Sequence, residues 1–165
     1  MAKSTTKRPS EERTHAQALD VSDRNRVPVP TVPRPNNLAW YSITPLGHVY
    51  RCDGRLVVPH TRPDCRRTST GATPLMVAFS NRYWRPLAKL VFLAFGHPKL
   101  IERWQARTDL RSYSAWVDPT GPVDPLTKHT RCTVHDVVLV PHGELISLGQ
   151  KGYPVRTRLS ILHPL

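Results

Sequence analysis

The stretch Arg82 to Gly96, RYWRPLAKLVFLAFG, constrains the fold more than any other part of this sequence. Leu87, Leu90, Val91, Ala94 and Phe95 recur at i, i+3, i+4, i+7 and i+8, the spacing that lines one face of an α-helix. Phe92 and Leu93 widen that apolar surface, so the helix is expected inside the core rather than lying on it. Gly96 is expected to stop it in the left-handed conformation, which glycine adopts without a Cβ penalty, and His97-Pro98 cannot continue the turn. A second, amphipathic helix is expected over Lys99 to Arg107, with Leu100, Ile101 and Trp104 apolar and Glu102, Arg103 and Arg107 outward.

From Leu38 the chain changes to short β-type runs, AWYSI, HVYR and RLVV, separated by Thr44-Pro45-Leu46-Gly47 and by Cys52-Asp53-Gly54. Asp-Gly between two such runs is a hairpin signal, because both residues tolerate positive φ. His60 to Thr73 reads as a basic loop, Pro74 leads into a further strand, LMVAF, and Asn81 marks a turn before Arg82. Residues 117–131, dense in Pro, Gly, Asp and Thr, read as an irregular loop. Val137 to Val140 and Glu144 to Leu148 read as strands paired around Pro141-His142-Gly143. The expected fold class is therefore α+β, with short antiparallel hairpins packed on a central helix over residues 37–150. Residues 1–36 are expected to be a disordered basic tail. Its Pro-rich part, VPVPTVPRP, favours polyproline and suits neither a helix nor a central strand, and a helix across Glu11 to Leu19 has too little apolar content to fold alone. Residues 151–165 read as a short strand and tail.

The 24 Lys+Arg against 12 Asp+Glu give a formal charge of +12. A polyanion is the expected partner, with nucleic acid first and DNA ahead of RNA. Arg51, Arg55, Arg62, Arg66, Arg67, Arg82, Arg85 and Lys89 crowd between residues 51 and 89, opposed by Asp53 and Asp64, with Tyr50, Tyr83 and Trp84 interleaved. That composition suits phosphate contact with some stacking capacity, and Trp84 joins the basic residues as a candidate nucleic-acid contact. The plainer reading of the aromatics is packing on the central helix. No run of about 18 apolar residues is present to span a membrane. The polar N-terminus, MAKSTTKRPSEERTHAQ, lacks the apolar core of a secretory signal. Three widely spaced cysteines, Cys52, Cys65 and Cys132, fit reduced thiols in an intracellular protein better than a disulfide framework, and no local spacing supports a zinc site.

Three pieces of the chain, taken together, resemble a known family. Tyr41-Ser42-Ile43-Thr44-Pro45-Leu46-Gly47-His48-Val49-Tyr50-Arg51, followed by Gly54-Arg55-Leu56-Val57, is similar to the small β module that precedes the nuclease motif in phage HNH homing endonucleases. LMVAFSNRYWRPLAKLVFLAFG resembles that family's strand, hairpin and helix, and WVDPTG and CTVHDVVLVP occupy the places of its last two segments. The resemblance covers roughly residues 38–141 and implies an HNH-like architecture, a phage-encoded protein in the host cytoplasm or virion, and DNA as partner. It also carries departures. Ala88 stands where the family's helix has a histidine, Pro119 where it has its general base, and Cys132 and Asp136 where it has two asparagines.

Phosphodiester hydrolysis of this kind needs a histidine to activate water and a divalent cation to stabilise the charge on phosphate and leaving oxygen. The resemblance implies Mg²⁺ held by Asp118 and Asp136, and leaves His129 and His135 as substitutes for the missing base. His135 precedes Asp136 at the start of an expected strand, where neighbours point to opposite faces, which favours His129. Three functions stay open: nucleic-acid binding with the nuclease centre lost or weakened, a Mg²⁺-dependent nicking endonuclease, and a structural component of a virion or ribonucleoprotein that orders the tail.

Overall fold

Pro86 divides the Arg82–Gly96 stretch into two elements. In the computed structural model, which describes residues 19–30, 41–61, 74–80, 83–106, 113–118, 121–141 and 159–161, Tyr83–Pro86 is a strand and Leu87–Phe95 a helix, α1. Pro86 keeps extended angles (φ −62°, ψ 127°) as the residue that enters the helix, consistent with its lack of an N–H to give. The apolar stripe behaves as its spacing predicts. Leu87, Leu90, Val91, Phe92 and Phe95 are buried, each burial being worth about 1.5–3 kcal/mol. Ala94 and Leu93 are half-buried at the margin.

The stop at Gly96 works differently from expectation. Its φ is −64°, so the left-handed conformation is not used. Glycine is required there for space: a Cβ would stand 2.5 Å from the Phe92 carbonyl oxygen and 2.8 Å from the Phe92 ring. His97 then caps the second helix, α2 (Pro98–Gln105), its Nδ1 accepting from the Lys99 N–H at 3.2 Å with Pro98 in the first turn. Trp104 fastens α2 by packing edge-on against Phe92 at 5.7 Å and donating its indole N–H to the Tyr113 carbonyl at 3.1 Å.

Three small antiparallel sheets surround α1. The first runs β1 (Val27–Pro28), β2 (Tyr41–Ile43), β3 (Val49–Arg51) and β4 (Leu56–Val57), with Ile43 opposite Val49 and Val49 opposite Val57. The second is β5 (His60–Thr61), β6 (Leu75–Ser80) and β7 (Tyr83–Pro86), with a register shift between Ala78 and Ser80. The third places β9 (Val138–Pro141) between β8 (Tyr113–Trp116) and β10 (Leu159–Ser160). α1 meets strands of the first and second sheets and β8 of the third, so all three close one core. Ile43, Val49, Val77, Leu100, Val134, Leu139 and Ile161 are fully buried around it.

Two boundaries shift from the sequence reading. Residues 19–30, expected in the tail, belong to the fold: β1 adds an edge to the first sheet and Val29 is buried. Pro28 is tolerated because an edge strand leaves one side of its backbone unpaired. His60–Thr61 leaves the expected loop to form β5. The remainder of the tail and of that loop, the helix considered over Glu11 to Leu19 apart from Leu19 itself, and the Glu144–Leu148 run lie outside the described residues. The described neighbours of β9 are β8 and β10. In the described part of the 151–165 segment Leu159–Ser160 forms β10, and the Ile161 carbonyl accepts from the His97 N–H at 2.7 Å.

Candidate functional site

The turn Thr44–Gly47 carries His48 into the interior, where the imidazole is only 7 % exposed. The Thr44 hydroxyl accepts from the His48 N–H at 3.3 Å, and the Thr44 N–H donates to the His48 carbonyl at 3.0 Å, which fixes the backbone beneath the ring. Both ring nitrogens face carboxylates. Nδ1 is 2.9 Å from Asp23 Oδ1 and Nε2 is 2.6 Å from Asp124 Oδ2. Each ring nitrogen thus has its own oxygen partner, and neither is left without a hydrogen bond. Asp23 also accepts from the Tyr50 hydroxyl at 2.5 Å, and Arg26 lies 3.9 Å above the Tyr50 ring. Two carboxylates are thus set against His48 and Arg26.

Burial pushes the Asp23 carboxyl up, but hydrogen bonds from Tyr50 and His48 and the charges of His48 and Arg26 outweigh it and hold the group below the ordinary value. Burial, and then the bond to Asp23, push the Tyr50 phenol up to about 12. Asp124 is shaped locally by its own turn: its Oδ1 accepts from Leu126 N–H at 2.7 Å and Thr127 N–H at 3.3 Å. Within the expected irregular loop, residues 121–131 are held locally, with Val123 bridged to Thr130 and Lys128 at φ 63°. Chemically the cluster is a fastener. With both ring nitrogens engaged by carboxylates and the ring buried, His48 is not placed to reach a substrate. Tyr50, grouped with the stacking aromatics by sequence, is committed here instead.

The residues expected to bind metal share a different cleft. Asp118 and Asp136 line a hollow of about 70 Å³ together with Trp116, Val117, Pro122 and Arg131. Arg131 grips Asp136 with a two-pronged pair, Nε to Oδ2 and a terminal nitrogen to Oδ1, both at 2.9 Å. Thr133 adds its N–H at 3.0 Å and its hydroxyl at 2.7 Å to Oδ2. Burial raises the Asp136 carboxyl, yet these bonds and the Arg131 charge hold it below its ordinary range. A Mg²⁺ ion would have to displace the guanidinium, so the pair as arranged does not fit that cation. Among the described residues no group of three or more His, Cys, Asp or Glu side chains is set to hold a metal.

The two candidate bases separate. His135 is exposed in a turn over residues 134–136, so the expected strand start, and the alternation argued from it, do not apply there. His129 is half-buried and lines a second cleft, of about 80 Å³, that also contains Ala88. Trp116 and Val117 wall both clefts. His129 thus shares a cleft with Ala88, and His135 does not line it.

The basic candidates divide similarly. Arg51 and Arg55 are exposed and straddle Asp53 at 3.9 and 3.5 Å. Arg85 is stacked on the Tyr83 ring at 3.9 Å and donates to the Trp84 carbonyl at 2.9 Å. Lys89, four residues on and inside α1, sits 5.3 Å over the Trp104 ring. Burial, and then the Arg85 charge, lower its ammonium below the usual range. Neither Arg85 nor Lys89 has a carboxylate partner among the described residues. Trp84 is half-buried and packs 6.2 Å from His60. Arg62, Arg66, Arg67 and Arg82 lie outside the described residues, as does Cys65. Cys52 and Cys132 are free thiols, and burial pushes the Cys132 thiol well up.

Sequence reasoning missed Asp23, His48 and Asp124. Asp124-Pro125 with Thr127 beyond it carried a turn signal, but nothing local pointed to a partner 76 residues away. Compared with protein-family models, curated proteins and solved structures, the chain matches none, and its function is read from the geometry of these residues alone.

Proposed function

We propose that this protein binds nucleic acid through its phosphates, with duplex DNA as the first form to test, on a scaffold related to the HNH homing endonucleases whose nuclease centre is lost or weakened. The observation that carries the reading is the Arg85–Lys89 pair. Arg85, stacked on Tyr83, and Lys89, over Trp104, have no carboxylate partner among the described residues. Burial first and then the Arg85 charge hold the Lys89 ammonium below its usual range, and both cations gain from an anion. A phosphate is the anion whose geometry suits a guanidinium fork beside an ammonium. The net charge of +12 supplies the long-range attraction.

The weakened centre is supported by chemistry. Ala88 and an apolar cleft occupy the ground where the resemblance requires a histidine, and Asp136 is committed to Arg131. The enzyme reading keeps one observation in its favour, the presence of His129 beside Ala88 in that cleft.

Affinity for a labelled duplex should fall steeply with added salt, since each neutralised phosphate releases counterions. Changing Arg85 and Lys89 together to alanine should weaken binding roughly tenfold and reduce the log–log salt slope by about 2. A flat salt response sinks the proposal. Incubated with supercoiled plasmid and Mg²⁺, the protein should leave the plasmid intact. Nicking that disappears in His129→Ala and Asp118→Ala would instead establish the endonuclease.

A further inference from the structure

Residues directly opposite each other in an antiparallel pair share a face of the sheet, and neighbours along a strand alternate. In the second sheet His60 opposes Met76, and Met76 opposes Pro86. Trp84, two residues before Pro86, falls on that same face opposite Ala78. The ring distances agree: His60 lies 6.2 Å from Trp84 and 6.5 Å from His129, which reaches in from the 121–131 loop, and both pairs meet edge-on at 60° and 76° rather than coplanar. The other face of the sheet carries Val77 and Phe79 into the core. Arg85 opposes Val77, so it belongs to the core side and folds over Tyr83 at the margin. Trp84 and Arg85 are consecutive residues of β7, an edge strand of its sheet among the described residues, and lie on its opposite faces.

We propose that His60, Trp84 and His129 form a stacking platform for unpaired bases of single-stranded nucleic acid, whose phosphates pass round the β7 edge to Arg85 and Lys89. The inference rests on the nucleic-acid reading above and specifies which form is held. A single strand can bend round one strand edge and turn its bases onto one face while its backbone follows the other. A duplex cannot, because it is stiff over about 150 base pairs and keeps its bases stacked inside. Aromatic rings accept any base by its π-face, so the platform reads no sequence. The cleft of about 80 Å³ lined by Pro86, Ala88, Trp116 and His129 adjoins the platform through His129 and offers a largely apolar wall to a splayed base. The cationic rim fixes the occupant as an anion-linked chain of rings rather than an apolar peptide.

Three labelled probes of equal phosphate number test this with the full chain by fluorescence anisotropy at low salt: an oligothymidylate, the same backbone with its bases removed, and a duplex. The oligothymidylate should bind tighter than the other two. Trp84→Ala should weaken it roughly five- to a hundredfold, the range for one lost base stack, while leaving the abasic strand unchanged. Trp84→Phe should recover part of the loss. His60 is exposed, so His60→Ala keeps the fold and should show the same selective loss in smaller measure. Equal weakening of the oligothymidylate and abasic strands, no weakening of either, or tighter binding to the duplex overturns the platform and leaves phosphate binding standing. Failure of all three probes to bind overturns the nucleic-acid reading as well, and gives the face to a protein partner.

Discussion

Replacing His48 by alanine is expected to destabilise the protein by about 3–5 kcal/mol, the usual consequence of removing one partner from a buried charged network. The imidazole joins three separate parts of the chain: the 19–30 segment through Asp23, the β2–β3 turn through its own backbone, and the 121–131 loop through Asp124. Without it the Asp124 carboxyl, 6 % exposed, keeps only two turn N–H donors as side-chain partners and Oδ2 loses the imidazole. Chemical denaturation at neutral pH should show the loss as a lower midpoint. Asp124→Asn in the same background should recover part of it by replacing the carboxyl left without its imidazole partner, and an additive double variant would refute direct coupling. The pH dependence has a definite sign. The folded Asp23 carboxyl lies below its ordinary value of 3.8, so its contribution is present above that pH and is lost as the pH falls through the lowered folded value. The gap in stability between the parent protein and His48→Ala should therefore narrow in acid.

Gly47→Ala is expected to cost on the order of 3 kcal/mol, for two separate reasons. Gly47 sits at φ +76°, where an L side chain is strained by about 1 kcal/mol. Steric contact costs more than this strain. A Cβ at this position would meet the Cys132 carbonyl oxygen at 2.2 Å, and backbone cannot rotate away as a side-chain tip can. The turn would have to part from residues 131–134, breaking the bond from the Val134 N–H to the Pro45 carbonyl at 2.9 Å. Gly54 provides the control. Its φ is +82° but nothing stands within 4 Å of its added Cβ, so Gly54→Ala should cost about 1 kcal/mol. Equal midpoints for the two variants would show that the packed turn carries no special load.

Much of the fold was legible because it is local. The helix at Leu87–Phe95 follows from apolar spacing, the β3–β4 hairpin from Asp53-Gly54, and α2 from Pro98 and the amphipathic run behind it, since each depends on residues within one or two turns of one another. The pairings of β8 with β9 and of β9 with β10 escaped the sequence because their partners lie far along the chain, and the nearer run Glu144–Leu148 offered a plausible hairpin. Gly96 shows a subtler miss. The residue type and position were right, but the reason is the Phe92 ring and carbonyl rather than a left-handed φ. For the candidate site, Trp84, Arg85 and Lys89 were legible as a dense basic-aromatic run. Asp136 read as a free carboxylate because Arg131, five residues back, gives no pattern by which to foresee its grip.

The same distances along the chain set an order of events during folding. The β2–β3 and β6–β7 hairpins and α1 close over short loops, whereas His48 meets Asp124 across 76 residues and Asp23 across 25. Contacts that span long stretches pay their closure entropy before they return any energy, so they form late. A late bond hardly affects how fast a chain folds and strongly affects how fast it comes apart. The histidine bridge should therefore act as a brake on unfolding: His48→Ala should raise the unfolding rate in stopped-flow measurements by far more than it slows refolding.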